Sequence, residues 1–242
     1  MVSHREWAAV ALLISAARKV ESELGASVVW NDQSASLRVH ALAATGDPRQ
    51  LQVAALCTDA GHFVDELAAL APAHPHLAIH FGLAPEADDR IVAAGYTLVD
   101  AMPVMIGSVA TDRDANDDTL VERADRTDTD QLVALDDRSS VYRFDDPWST
   151  TFIARREGRV VGKTQLVEAV PGVGYLADMV VDEAHRRTGV GRALVAAAER
   201  QARASGSRHM LLASTEMGCH LYGNLGYETD RWLHSYVPSA ND

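Results

Sequence analysis

Cysteine is scarce: Cys57 and Cys219 are the only two in 242 residues. Two thiols make no disulfide framework, so a reducing compartment, the cytoplasm, is expected. Positive charge is also short. The 22 basic side chains face 34 acidic ones, a net charge of −12, which argues against a nucleic-acid binder and favours cationic partners. No stretch is apolar enough to cross a membrane, and none is expected to do so. Trp7 to Ile14, followed by Ser15-Ala16-Ala17, looks briefly like an export signal. A capping box at Ser3-x-x-Glu6, the charged Arg18, Lys19, Glu21 and Glu23, and a stop at Gly25 instead predict an ordinary first helix. There is no Gly-x-Ser-x-Gly, hence no hydrolase nucleophile elbow. His74, His76 and His80 cluster in sequence without a convergent ligand set, and no metal is expected. Gly158-Arg159-Val160-Val161-Gly162-Lys163-Thr164 is one residue short of a nucleotide-binding P-loop and reads as a strand.

What the chain does have is Arg186-Arg187-Thr188-Gly189-Val190-Gly191, set between an apolar strand and a long helix. Gly174 to Val181 reads as a buried strand. After the turn, Val190, Leu194, Ala197, Ala198 and Ala202 recur at helical spacing, with Arg192, Glu199, Arg200 and Arg203 between them. A strand that feeds such a turn suits a phosphorylated ligand. The first N–H groups of the helix have no partner within it and the dipole favours an anion. Glycine allows close backbone approach, and Arg186, Arg187 and Arg192 can neutralise phosphate charge.

A second apolar strand, His209 to Ala213, leads through Ser214-Thr215 and a short helix to Leu221-Tyr222-Gly223-Asn224-Leu225-Gly226-Tyr227. Arg186-x-x-Gly189-x-Gly191 followed about thirty residues later by Leu-Tyr-x-x-Leu-Gly-Tyr resembles the GNAT superfamily of N-acetyltransferases, over residues 118 to 238. The resemblance implies an α/β fold with a mixed sheet and helices on both faces. It also implies that the fourth and fifth strands splay around acetyl-CoA, and that no metal is used. Leu120–Ala124 and Gly174–Val181 are expected as strands, Asp128–Leu135 as the start of a helix, and Thr150–Arg156 with Val160–Glu168 as a hairpin about Glu157-Gly158.

A polar stretch, Asp112 to Thr119, reads as a linker between residues 1–117 and 118–242. Residues 1–117 hold 7 basic and 15 acidic side chains, a balance of −8, and residues 118–242 hold 15 and 19, or −4. The basic residues thus concentrate where the anionic cofactor is expected. The halves repeat faintly: shifted by 131 positions, His76–Asp100 falls on Ser207–Arg231, and Gly95-Tyr96 on Gly226-Tyr227. At Gly189 and Gly191 the first half has Thr58 and Ala60, and opposite Tyr222 stands Ile91. Residues 1–117 are therefore expected to be a degenerate GNAT-like domain without the cofactor motif, beside a catalytic domain at 118–242. The alternative is an unrelated α/β domain.

The resemblance implies acetyl transfer from acetyl-CoA to a primary amine by direct attack in a ternary complex. Pyrophosphate would rest on Arg186, Arg187, Thr188, Gly189, Val190, Gly191 and Arg192. Met179, Val180 and Val181 would meet the pantetheine arm as an added strand, with the Met179 N–H or a neighbour polarising the thioester carbonyl. Tyr222 matches the general acid, since a phenol with a pKa near ~10 is protonated at neutral pH. Many relatives have Glu where this chain has Ala177. Asp178 is the adjacent candidate base, although strand alternation would set it opposite Ala177, Met179 and Val181; Glu168, Asp145, Asp146 and His220 remain open for the role. Thr215 and Gly218 depart from the residues common in the family. Asp145, Asp146 and Trp148, with Tyr142 and Phe144, are expected to border the acceptor, an acidic and aromatic wall for a protonated amine; a solvated loop is the other reading. The acceptor is a small-molecule or peptide amine, and the protein a monomer with pseudo-twofold halves or a homodimer. A catalytically inactive acyl-CoA-binding regulatory or scaffold protein is the alternative function.

Overall fold

The computed structural model describes residues 4–24, 27–31, 36–40, 51–55, 60–68, 77–82, 89–109, 121–136 and 144–239. The first half runs α1 (His4–Leu24), β1 (Ser27–Asn31), β2 (Ser36–His40), β3 (Leu51–Ala55), α2 (Ala60–Ala68), β4 (Leu77–Gly82), α3 (Asp89–Ala93) and β5 (Tyr96–Ser108). The second runs β6 (Val121–Arg123), α4 (Thr129–Leu135), β7 (Ser149–Arg156), β8 (Arg159–Val170), β9 (Val173–Val181), α5 (Val190–Ala204), β10 (His209–Ala213), α6 (Glu216–Asn224) and β11 (Glu228–Pro238). The expected first helix, the β7–β8 hairpin and the strand–helix order of the second half are all present. Ser3, Gly25, the 112–119 linker, Tyr142, Cys57, Thr58, His74 and His76 lie outside the described residues.

Local chemistry explains the elements. Glu157 and Gly158 both have positive φ, 51° and 78°, the two-residue turn whose twist matches a hairpin. On α5 the predicted apolar stripe is buried against Leu166, Leu176, Met210 and Leu212. Glu199, expected on the polar face, is 1% exposed. It is tolerated there because the Tyr227 hydroxyl donates to its Oε1 at 2.8 Å. α1 covers the opposite face of the sheet, its Ala8, Ala11, Leu12, Leu13 and Ala17 packing with Val104, Val173 and Leu211. α4 covers that same side further along, over Ile153 and Val160. His80 is buried within β4, directly opposite His234.

The eleven described strands form one sheet in the order β1-β2-β3-β4-β11-β5-β10-β9-β8-β7-β6. Only β3–β4 and β9–β10 are parallel. The order is nearly a palindrome: β1, β2, β3, β4 and β5 occupy positions mirrored by β7, β8, β9, β10 and β11. The last strand of each half crosses over. β11 lies against β4, β5 lies against β10, and the two pair with each other at the centre. Gly95 and Gly226, 131 positions apart, both adopt left-handed φ, 87° and 79°, just before these crossing strands.

Candidate active site

β9 ends at Val181, and the chain then turns twice before α5. Asp182 accepts from the Ala184 N–H at 2.9 Å and faces His185 Nδ1 at 3.3 Å; these contacts hold its carboxyl below the usual range. The Thr188 hydroxyl donates to the His185 carbonyl at 2.7 Å, and Arg186 Nε donates back to the Val181 carbonyl at 3.2 Å. Arg187 and Gly189 take left-handed φ of 61° and 94°. Gly189 is the N-cap of α5 and no side chain caps the helix. The first-turn N–H groups therefore remain available to an anion beside the exposed Arg186, Arg187 and Arg192.

The two glycines act differently. Gly189 meets the backbone demand, with nothing near a Cβ placed there. A Cβ at Gly191 would stand 3.0 Å from Leu221 Cδ2 of α6, so this glycine lets two helices approach.

β9 carries a bulge. Gln165 of β8 pairs with Ala177, whereas Lys163 pairs with Val180, so one extra β9 residue lies between. Asp178, with φ 50°, is at that point. The bulge overturns the expected alternation. Leu176 and Met179 both pack toward α5, which leaves Ala177 and Val180 on the α1 side. Asp178 also turns to α1, where its Oδ2 lies 2.8 Å from Lys19 Nζ. It thus shares the α1 side with Ala177, from which alternation would have separated it.

Next to the bulge the sheet opens as expected. β9 and β10 pair only from Val173–Tyr175 to His209–Leu211 and diverge beyond. On the α5 side of this opening is Tyr222, buried and tilted 58° against Tyr227 at 5.7 Å. Burial pushes its phenol pKa well up, with Tyr175 and Cys219 adding to the effect. It is therefore a protonated donor at any neutral pH. Tyr175, the last β9 residue paired with β10, was not singled out by sequence; its strand position alone gave no signal. Thr215 serves as N-cap of α6, accepting from the Gly218 N–H at 3.2 Å. A Cβ at Gly218 would fall 2.5 Å from Ser214 Oγ, which explains glycine there.

The remaining candidates are placed less favourably. Glu168 accepts from Ser205 and Ser207 at the C-terminal end of α5. That is about 22 Å of helix from the phosphate turn, which removes it as a base. Asp145 pairs with Arg126 in solvent, and Asp146 accepts from the Trp148 N–H at 2.9 Å. Asp145 is thus tied to the segment before α4 and Asp146 to the turn that starts β7, and Trp148 is 51% exposed. His220 is exposed on α6. No group of metal-binding side chains occurs among the described residues, and no helix is long and apolar enough to cross a membrane.

Parallel strands that part beyond their shared pairing, a helix N-terminus without a side-chain cap and a buried tyrosine on α6 are the features that the sequence resemblance leads one to expect. Residues 113–227 match the model of the Acetyltransferase (GNAT) family, and this part of the chain is a GNAT acetyltransferase domain, of a family that typically uses acetyl-CoA. The fold of nearly the whole chain recurs in solved structures. A GCN5-related N-acetyltransferase from Kribbella flavida is 17% identical with TM-score 0.64, covering 96% of each chain. A putative GNAT-family acetyltransferase from Novosphingobium aromaticivorans is 16% identical with TM-score 0.61, covering 96% of this chain and 97% of that one. A tandem GNAT protein from the clavulanic acid biosynthesis pathway is 15% identical with TM-score 0.58, covering 86% and 79%. A search of curated proteins gives no significant match.

Proposed function

We propose that the protein is a cytoplasmic, acetyl-CoA-dependent N-acetyltransferase acting on a primary amine, with residues 118–242 as the reacting half. The first half, 1–117, is read as a degenerate repeat of the same fold. The near-palindromic strand order supports that reading, as does the match of α2, β4, α3 and β5 with α5, β10, α6 and β11 under a shift close to 131. The likeness of most of the chain to a tandem GNAT protein supports it.

One observation carries the function: the β9 bulge and the uncapped α5 turn lie along one strand, with Tyr222 across the opening. Acetyl-CoA supplies an acetyl group already activated as a thioester. The 186–192 turn binds the pyrophosphate through main-chain N–H groups and arginine side chains. The exposed backbone of Met179 to Val181 orients the pantetheine arm, and the N–H groups at the bulge stabilise the oxygen as negative charge develops on it. As the amine nitrogen bonds to the carbonyl carbon and the carbon–sulfur bond breaks, Tyr222 Oη delivers its proton to the departing sulfur. Asp178, its carboxylate on the α1 side, is the candidate to accept the amine proton directly or through water.

The test is titration calorimetry with acetyl-CoA followed by thiol release against an amine panel. One site per chain is expected. Arg186→Glu should abolish binding, and Tyr222→Phe should keep binding while losing turnover. Binding without any thiol release would leave an acyl-CoA binder in place of an enzyme. Unchanged binding by Arg186→Glu would defeat the cofactor placement.

A further inference from the structure

The β9 bulge is held from both faces of the sheet. On the α5 face stands Thr164 of β8, the last residue of the P-loop-like segment and fully buried. It is the β8 residue that the bulge faces, since its neighbours Lys163 and Gln165 pair with Val180 and Ala177. Gly162 and Leu166, two positions to either side, both pack on α5, so Thr164 shares their face. Its hydroxyl donates to the Ala177 carbonyl at 3.1 Å. On the α1 face, Asp178 Oδ2 lies 2.8 Å from Lys19 Nζ. Lys19 continues the buried stripe of Ala8, Leu12 and Ser15 along α1.

These two contacts decide where the bulge points its donors. No described peptide is cis, so the N–H of the Ala177–Asp178 peptide points opposite to its carbonyl. With that carbonyl drawn to β8, the Asp178 N–H is turned away from β8, toward the side where β10 has parted from β9. The backbone there is not at rest by itself. Asp178 holds φ 50° at the bulge position usually given to glycine. A residue with a side chain keeps such a φ only where surrounding contacts over-determine it. Thr164 takes hold of the carbonyl just before this residue, and Lys19 takes hold of its carboxylate.

We propose that Lys19 and Thr164 are positioning residues for acetyl transfer. Through the Asp178 carboxylate and the Ala177 carbonyl they hold the bulge with the Asp178 N–H aimed at the thioester oxygen. This rests on the acetyl-transfer reading above and names the groups that give the bulge its aim. A donor fixed before the reaction stabilises the developing negative charge without reorganisation at that moment. A bulge released from either contact relaxes toward extended backbone, and the N–H swings out of line. Lys19 belongs to the first half, which thereby takes part in the chemistry of the second.

The test uses the full chain with acetyl-CoA isotope-labelled at the thioester carbonyl. The infrared stretch of that carbonyl reads the donor directly and needs no acceptor. Bound to the wild type, it should lie at lower wavenumber than in free acetyl-CoA. Lys19→Met and Thr164→Val, each close in shape to the residue replaced, should both move it back toward the free position. Lys19→Arg, which restores the ion pair, should keep the wild-type value. With the amine that best releases thiol, the first two variants should lose about 10- to 100-fold in kcat, while the calorimetric Kd for acetyl-CoA stays unchanged. The double variant should lose little more than either single one, because both act on one bulge. A stretch and kcat unmoved in a folded single variant would overturn the proposal for that residue. So would a loss found wholly in acetyl-CoA affinity, or one that Lys19→Arg shares. Lys19→Gln and Thr164→Ala take over where the first choices do not fold. Should no amine release thiol, the enzymatic reading fails separately and the stretch alone decides. Should acetyl-CoA not bind, the acetyl-transfer reading fails and this proposal falls with it.

Discussion

Lys163 on β8 is 1% exposed, and its Nζ lies 2.9 Å from Asp136 Oδ2 at the end of α4, itself largely buried. The Asp136 carboxylate offsets the cost of burying this ammonium. Asp136→Asn keeps the shape and removes the charge, leaving the ammonium desolvated without its carboxylate, at an expected cost of about 3–5 kcal/mol. Lys163→Met fills the same space with apolar atoms but leaves the largely buried Asp136 carboxylate without this cation, so it too should destabilise, whereas replacing both partners should cost much less. For a chain of this length each kcal/mol moves the melting temperature by about 2–4 °C. Asp136→Asn and Lys163→Met should therefore each melt roughly 6–20 °C lower, with the double variant recovering most of the loss. The assay is thermal unfolding by circular dichroism at pH 7, with urea midpoints as a check on slope. A double variant that loses as much as the two single variants summed would mean that the side chains act independently and would refute the electrostatic argument.

Other outcomes follow from contacts already described. A methyl group at Gly162 would sit 2.8 Å from Val190 Cγ1 and 3.3 Å from the Val180 carbonyl; Gly162→Ala should cost about 1–3 kcal/mol in urea midpoints, and a neutral effect would show a looser α5–β8 contact. The Tyr222 phenol has its pKa raised by burial, so the folded protein keeps a proton that the unfolded chain releases near pH ~10. Stability present below that pH must then decline as the solution becomes more alkaline. Tyr222→Phe should flatten part of the decline between pH 9 and 11, the buried Tyr96 contributing in the same direction; an identical slope in both proteins would count against a buried phenol. Glu168 is raised by burial more than its serine contacts lower it. Its contribution is most favourable in acid and is lost as pH rises through the raised value. Glu168→Gln should gain on the wild type between pH 4 and pH 7 in unfolding midpoints, and a constant difference would argue that no such shift exists.

The turn before α5, the short helix that carries Tyr222 and the β7–β8 hairpin were legible because each is local: a handful of adjacent residues sets the backbone and its donors. The β9 bulge was not. One extra residue at Asp178 resets which side chains face α1, and alternation read along the strand places them wrongly beyond it. Glu199 and Lys163 look like surface charges in sequence, since their partners Tyr227 and Asp136 are 28 and 27 positions away. The buried Arg231 offered no signal for the same reason, its strand partner Val104 belonging to the other half. The 131-residue repeat was visible, but the exchange of β5 and β11 was not, because pairing among distant strands is written nowhere in a local pattern.

That exchange bears on how the chain can be cut. A fragment trimmed to the second half would keep the phosphate turn and Tyr222, yet it would lose α1 and the strand between β10 and β11. Bare backbone edges and an uncovered apolar face would be left at the opening where chemistry is placed. The second half alone would thus lack a strand from the middle of its own sheet, and two separately made halves should pair only by re-forming this interlocked sheet. A substitution in β5 would register as a defect of the other half, so damage and repair cannot be assigned by position in the sequence.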